Sequence, residues 1–139
     1  MFYRVAYCCF RNVPDANLLT DTSFVEHVTR FMDFLDFICS NLDSLNCMDD
    51  QTNNDRNSVC QRLLLLGATH ARLGVVVTLT HMHVLCEAMH CVWESVCGEE
   101  YSEEVRAAWT LLFDFITLTF TEGHSMFTKA MQTDAAELG

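Results

Sequence analysis

Apolar residues recur every three to four positions along most of this chain, the period of helices that bury one face. One stripe runs Phe24, Val28, Phe31, Leu35, Ile38 and Leu42, with His27 one turn after Phe24. A second runs Leu63, Leu66, His70 and Leu73, and a third takes in Val105, Ala108, Trp109, Leu112, Phe113 and Ile116. No segment alternates with period two, and Pro14 is the only proline. The pattern predicts an all-α chain.

Polar punctuation sets the expected boundaries. Asp21-Thr22-Ser23 offers helix caps ahead of a helix over about 23–45. Residues 46–58, rich in Asn and Asp, read as a surface loop. A helix over about 59–73 stops at Gly74, and another over about 77–97 stops at Gly98. Ser102, followed by Glu103 and Glu104, starts a last helix that is expected to reach about Thr121. At 139 residues the chain reads as a single domain, 1–139, with an irregular region over 1–22 and a frayed tail over 122–139.

Charge narrows the partners. Nineteen acidic residues against eight basic ones give a net charge of −11. Such a surface repels nucleic acid and anionic membranes and favours solubility. No apolar run reaches transmembrane length, and MFYRVAYCCF lacks the cleavage pattern of a secretory signal. The eight cysteines are therefore expected to be reduced, most of them serving as small core residues in a cytoplasmic protein.

The candidate chemistry lies in two histidines. His27 and His70 each interrupt an apolar helical stripe. Imidazole is a preferred ligand of metals and haem iron, so two such groups facing an apolar cleft point to a haem pocket. A histidine on an apolar face also serves often as an ordinary core residue. A second constellation, His83, Cys86 and His90, shares one face of the third helix and has zinc-ligand chemistry, but no partner ligands from another segment are evident. Asp33 and Asp36 read as a solvated face, Trp93 and Trp109 as packing between the last two helices, and His124 as a solvated residue in the tail.

LGATHARLGV over 66–75, GEEYSEEVRAAW over 98–109 and SFVEHVTRFMDFLDFICSNLDSL over 23–45 resemble, in order, segments of animal globins, the neuroglobin-like branch in particular. The resemblance implies a globin-like fold that binds haem b and takes dioxygen or another diatomic gas, as a reversible binder or a sensor of gas or redox state. His70 would be the proximal iron ligand, and His27 the distal group and a possible sixth ligand. Val28 and Phe31 would line the distal side. The Leu66 carbonyl and Thr69 hydroxyl would accept the second N–H of the ligand imidazole, and Val75 would touch the porphyrin edge. Met82, Leu85 and Phe113 would form the pocket floor. A nitric oxide dioxygenase-type side reaction is conceivable, although no reductase segment is evident. The resemblance also makes a redox-sensitive loop disulfide between Cys47 and Cys60 conceivable, against the main reading of reduced cysteines.

The chain departs from that family in three ways. It opens where globins have already made two helices, so the expected fold is N-terminally truncated. The family's corner phenylalanine aligns with Val5, with Phe2 and Phe10 as substitutes. The two histidines stand 43 residues apart, a longer separation than usual, which the polar 46–58 loop absorbs at little cost. These departures keep a different class of function open, a haem-free helical interaction module. The apolar opening residues would then cover the gap in a homodimer.

Overall fold

The computed structural model describes residues 14–44 and 58–137. Four α-helices account for most of them: α1 (Thr22–Ser40), α2 (Val59–Arg72), α3 (Leu79–Cys97) and α4 (Glu103–Glu137). Short 3-10 turns occupy Asp15–Thr20, Leu42–Ser44 and Gly98–Glu100, and no strand occurs among the described residues. None of the described helices is long and apolar enough to cross a membrane. Two compact units divide the chain inside α2, between Arg62 and Leu63.

In the first unit, α1 starts where the Asp21 carboxylate accepts the Phe24 amide at 2.9 Å. That bond satisfies one of the amides a helix start leaves without a partner. Phe24, Leu35 and Ile38, one apolar stripe, are buried. Asn41 closes the helix, donating from its backbone amide to the Ile38 carbonyl and from its side chain to the Phe37 carbonyl. The Arg62 guanidinium lies 4.2 Å from the centre of the Phe37 ring, a cation–π contact that contributes about 0.5–1 kcal/mol at an exposed site.

The second unit holds the end of α2 together with α3 and α4. Its buried apolar residues include Leu63, Met82, Phe113, Ile116 and Phe120. Glycine decides how α2 meets α4. A Cβ on Gly67 would overlap the Phe120 carbonyl oxygen and lie 2.8 Å from the His124 amide nitrogen. One on Gly123 would overlap the Leu64 carbonyl oxygen and lie 2.7 Å from the Leu64 carbonyl carbon. Two glycines therefore bring the helix backbones into contact, which no other residue pair would permit.

Helix α3 ends at Gly98 as expected, and a cap that the sequence reading did not name sets its start. Thr78 and His81 form a reciprocal cap: the His81 amide donates to the Thr78 hydroxyl at 3.3 Å, and the Thr78 amide to His81 Nδ1 at 3.1 Å. Gly98 takes φ +55° at the other end. The start of α4 places the Ser102 hydroxyl 3.4 Å from the Val105 amide. A hydrogen bond from Ser102 also holds the exposed Glu104 carboxyl below its usual pKa range.

The tail differs from the sequence expectation. Helix α4 does not fray from Glu122 but runs to Glu137, about 50 Å in all. Gly123 is buried against α2 rather than breaking the helix, so packing overrides its weak helix propensity. Residues 46–57 of the predicted loop, the residues of the opening segment before Pro14 and the Cys47 end of the conceivable Cys47–Cys60 bridge lie outside the described residues.

Candidate functional site

His70 stands in the last turn of α2, half-buried. Its Nδ1 lies 2.8 Å from the Leu66 carbonyl oxygen. A carbonyl only accepts, so Nδ1 carries the proton and the neutral ring keeps an unprotonated Nε2. Among the described residues no side chain or carbonyl hydrogen-bonds that nitrogen. The Phe120 ring meets the imidazole edge-on, with centres 5.1 Å apart. The Thr69 hydroxyl goes elsewhere and donates to the Leu65 carbonyl at 2.8 Å, so of the two expected acceptors only Leu66 bonds the ring.

A complete helix stop follows immediately. The Val75 amide donates to the His70 carbonyl and the Gly74 amide to the Ala71 carbonyl, both at 2.9 Å, with Gly74 at φ +71°. This is the paired-bond Schellman cap, which needs a left-handed residue where Gly74 stands. The Val75 carbonyl in turn receives His124 Nε2–H at 3.0 Å. His124 is half-buried and engaged rather than solvated as expected. Leu73, placed on the second apolar stripe, is the cap residue of this stop and is 68% exposed.

The remaining candidates divide between the two units. Val75, Met82, Leu85 and Phe113 share the second unit with His70, Leu66 and Thr69; Met82 and Phe113 are buried, Leu85 and Val75 half-buried. His27, Val28 and Phe31 lie on α1 in the first unit, all three half-buried. Phe24, on the same stripe, is 6% exposed.

The donor set suits haem iron. An imidazole on a well-anchored helix turn, its tautomer fixed by a backbone carbonyl and its other nitrogen bare, is what an axial ligand requires. Comparison with known proteins bears on the same region: the model of the globin family matches residues 9–119, which include both histidines. The chain belongs to the globin family.

This globin is 28% identical to neuroglobin of Danio rerio over 113 residues, which cover 81% of this chain and 63% of that protein. It is 30% identical to neuroglobin of Dissostichus mawsoni over 105 residues, 76% of this chain and 58% of the other. With neuroglobin-2 of Oncorhynchus mykiss it shares 26% identity over 110 residues, 79% of this chain and 61% of that one. The matched region thus spans less than two thirds of each of these relatives. No solved structure gives a significant match. The globin is of the neuroglobin-like kind, as the resemblance of the three segments implied.

A third histidine in this globin does different work. His90 is 2% exposed, and both ring nitrogens are taken. Thr110 Oγ1 lies 2.9 Å from the Arg106 carbonyl, which claims its hydrogen, so the hydroxyl accepts from His90 Nε2 at 3.2 Å. Nδ1 is then bare and accepts the Tyr101 hydroxyl at 2.5 Å. Burial pushes the Tyr101 pKa above its ordinary value, in keeping with a phenol held as donor. Trp93 and Trp109 stack beside this network with ring centres 4.1 Å apart. Phe113, expected on a pocket floor, packs its ring among His90, Trp93 and Trp109.

These contacts remove the zinc reading of His83, Cys86 and His90. His90 has no nitrogen to offer, and no three His, Cys, Asp or Glu side chains converge among the described residues. The cysteine expectation also needs correction. Cys39, Cys91 and Cys97 are exposed thiols, and Cys86 is half-buried, its pKa raised chiefly by burial. The sequence reading missed Phe120 and His124 as neighbours of the His70 turn. Their signal was the spacing Phe113, Ile116, Phe120, Gly123 along one helical face, which carries the apolar stripe past Thr121.

Proposed function

We propose that this globin binds haem b through His70 and thereby takes up dioxygen or another diatomic gas reversibly, as a carrier or as a sensor of gas or redox state. One observation carries the reading: His70 donates Nδ1–H to the Leu66 carbonyl and keeps Nε2 bare on a capped helix turn. Haem iron, when bound, supplies the reversible coordination of the gas.

The chain's own residues do the rest. His70 would offer the Nε2 lone pair, and the Leu66 carbonyl would hold the ring's azimuth and raise its basicity. Val75, just beyond the cap, would lie along the porphyrin edge. Met82, Leu85 and Phe113 would supply apolar surface that keeps water away, with Val28 and Phe31 doing the same on the distal side. His27 would be the distal group. It would either donate a hydrogen bond to a diatomic ligand or take the sixth position itself. In the second case apparent gas affinity falls by the fraction of molecules with that position open.

Haem titration of the purified chain tests this. A sharp Soret band, with an axial-histidine signature that His70→Ala abolishes, is the expected result. His27→Ala is expected to convert a six-coordinate ferrous spectrum to a five-coordinate one if His27 ligates. A spectrum that His70→Ala leaves unchanged would remove the reading.

A further inference from the structure

The turn that carries His70 is held from outside its own helix. After the cap the chain has little to pack on: Leu73 is 68% exposed, Val76 64%, and nothing lies within 4 Å of where a Cβ on Gly74 would stand. Among the described residues, the only side-chain hydrogen bond to residues 73–77 comes from His124. That imidazole spans 49 positions of sequence to reach the Val75 carbonyl.

Helix α4 is well placed to act as the anchor. The Gly67 contact holds the His124 amide against α2, and the Gly123 contact holds the residue beside it. One turn earlier the Phe120 ring touches the His70 imidazole. A continuous line of bonds then runs from α4 to the candidate ligand: His124 Nε2–H to the Val75 carbonyl, the Val75 amide to the His70 carbonyl, and His70 Nδ1–H to the Leu66 carbonyl.

We propose that His124 is a positioning residue for His70. It anchors the corner after α2 through Val75 and so fixes the tilt of the last turn and the direction of the bare Nε2. The proposal rests on the reading of His70 as the axial ligand. Because the Val75 carbonyl accepts only, the device needs an N–H donor at position 124, in either charge state of an imidazole. An amide can replace it; a hydrocarbon cannot.

The test uses the full chain loaded with ferrous haem, comparing His124→Leu with His124→Gln. The readouts are the iron–histidine stretching band in resonance Raman spectra and the rate of haem loss. His124→Leu is expected to shift or broaden the band and to speed haem loss about tenfold, the scale of losing an outer partner of a ligand histidine. His124→Gln is expected to restore both. If His124→Leu does not fold, His124→Phe, which keeps a flat ring without the donor, takes its place.

An unchanged band and rate in the folded hydrocarbon variant would overturn the proposal. So would a glutamine variant as impaired as leucine, since the role would then be packing. The His70→Ala control separates the two readings. If the wild-type spectrum has no histidine signature for that control to remove, the haem reading falls and takes this proposal with it. If the signature is present and depends on His70, only the role of His124 is in question.

Discussion

His70 and His90 occupy neighbouring helices of the same unit, and each sits on an apolar helical face. They differ in the second nitrogen. His90 has Tyr101 on Nδ1 and Thr110 on Nε2, and is shut away from solvent. His70 has one partner, the Leu66 carbonyl, and is half-open. Burial alone would single out His90 rather than His70. The bare lone pair, held in place by a bond at the opposite nitrogen, is what separates the proposed ligand from the brace.

Breaking the brace should produce the largest effect. His90→Ala opens a cavity and leaves the Tyr101 hydroxyl without its acceptor, and is expected to cost about 4 kcal/mol in chemical denaturation, while the axial-histidine spectrum of the haem-loaded chain stays as it was. Gly123→Ala attacks the His70 side of the comparison by driving a methyl group into the Leu64 backbone. Its expected cost is about 3 kcal/mol by the same measurement, with faster haem loss as the α2–α4 contact opens.

Tyr101→Phe sharpens the contrast more gently. It removes the donor to His90 Nδ1 and is expected to cost about 1–2 kcal/mol at neutral pH. It should also flatten an alkaline transition. The Tyr101 pKa is raised in the folded chain by burial, so its contribution is complete below the ordinary tyrosine range. It is lost as pH climbs through that range and beyond. Melting temperatures measured across alkaline pH should therefore fall more steeply for wild type than for Tyr101→Phe. Arg106→Gln should matter least, about 0.5 kcal/mol. The Arg106–Glu94 pair, 2.9 Å apart, is a partly exposed surface bridge that water screens.

Local chemistry made much of the fold readable in advance. Asp21, Ser102, Gly74 and Gly98 each mark a boundary through hydrogen bonds or φ angles set within a few residues, and the structure uses all four. The Leu66 carbonyl as partner of His70 came from the family resemblance instead, and the bond is there, one helical turn away. What escaped was settled at a distance. The end of α4 was set too early, because what holds the helix past Thr121 is the contact of Gly123 with Leu64 on another helix. His124 looked solvated because its partner, Val75, lies 49 residues away. His90 could not be told from a zinc ligand by spacing, since Tyr101 and Thr110, 11 and 20 residues on, decide its role. Leu73 was carried one step too far along its stripe, beyond the point where the Schellman bonds turn the chain away.

The most direct test of the account is cavity rescue at position 70. Haem titration of His70→Gly should lose the axial-histidine signature of the wild type, and added free imidazole should restore it by entering the vacated space. A glycine variant whose haem spectrum matches the wild type without imidazole would contradict the account.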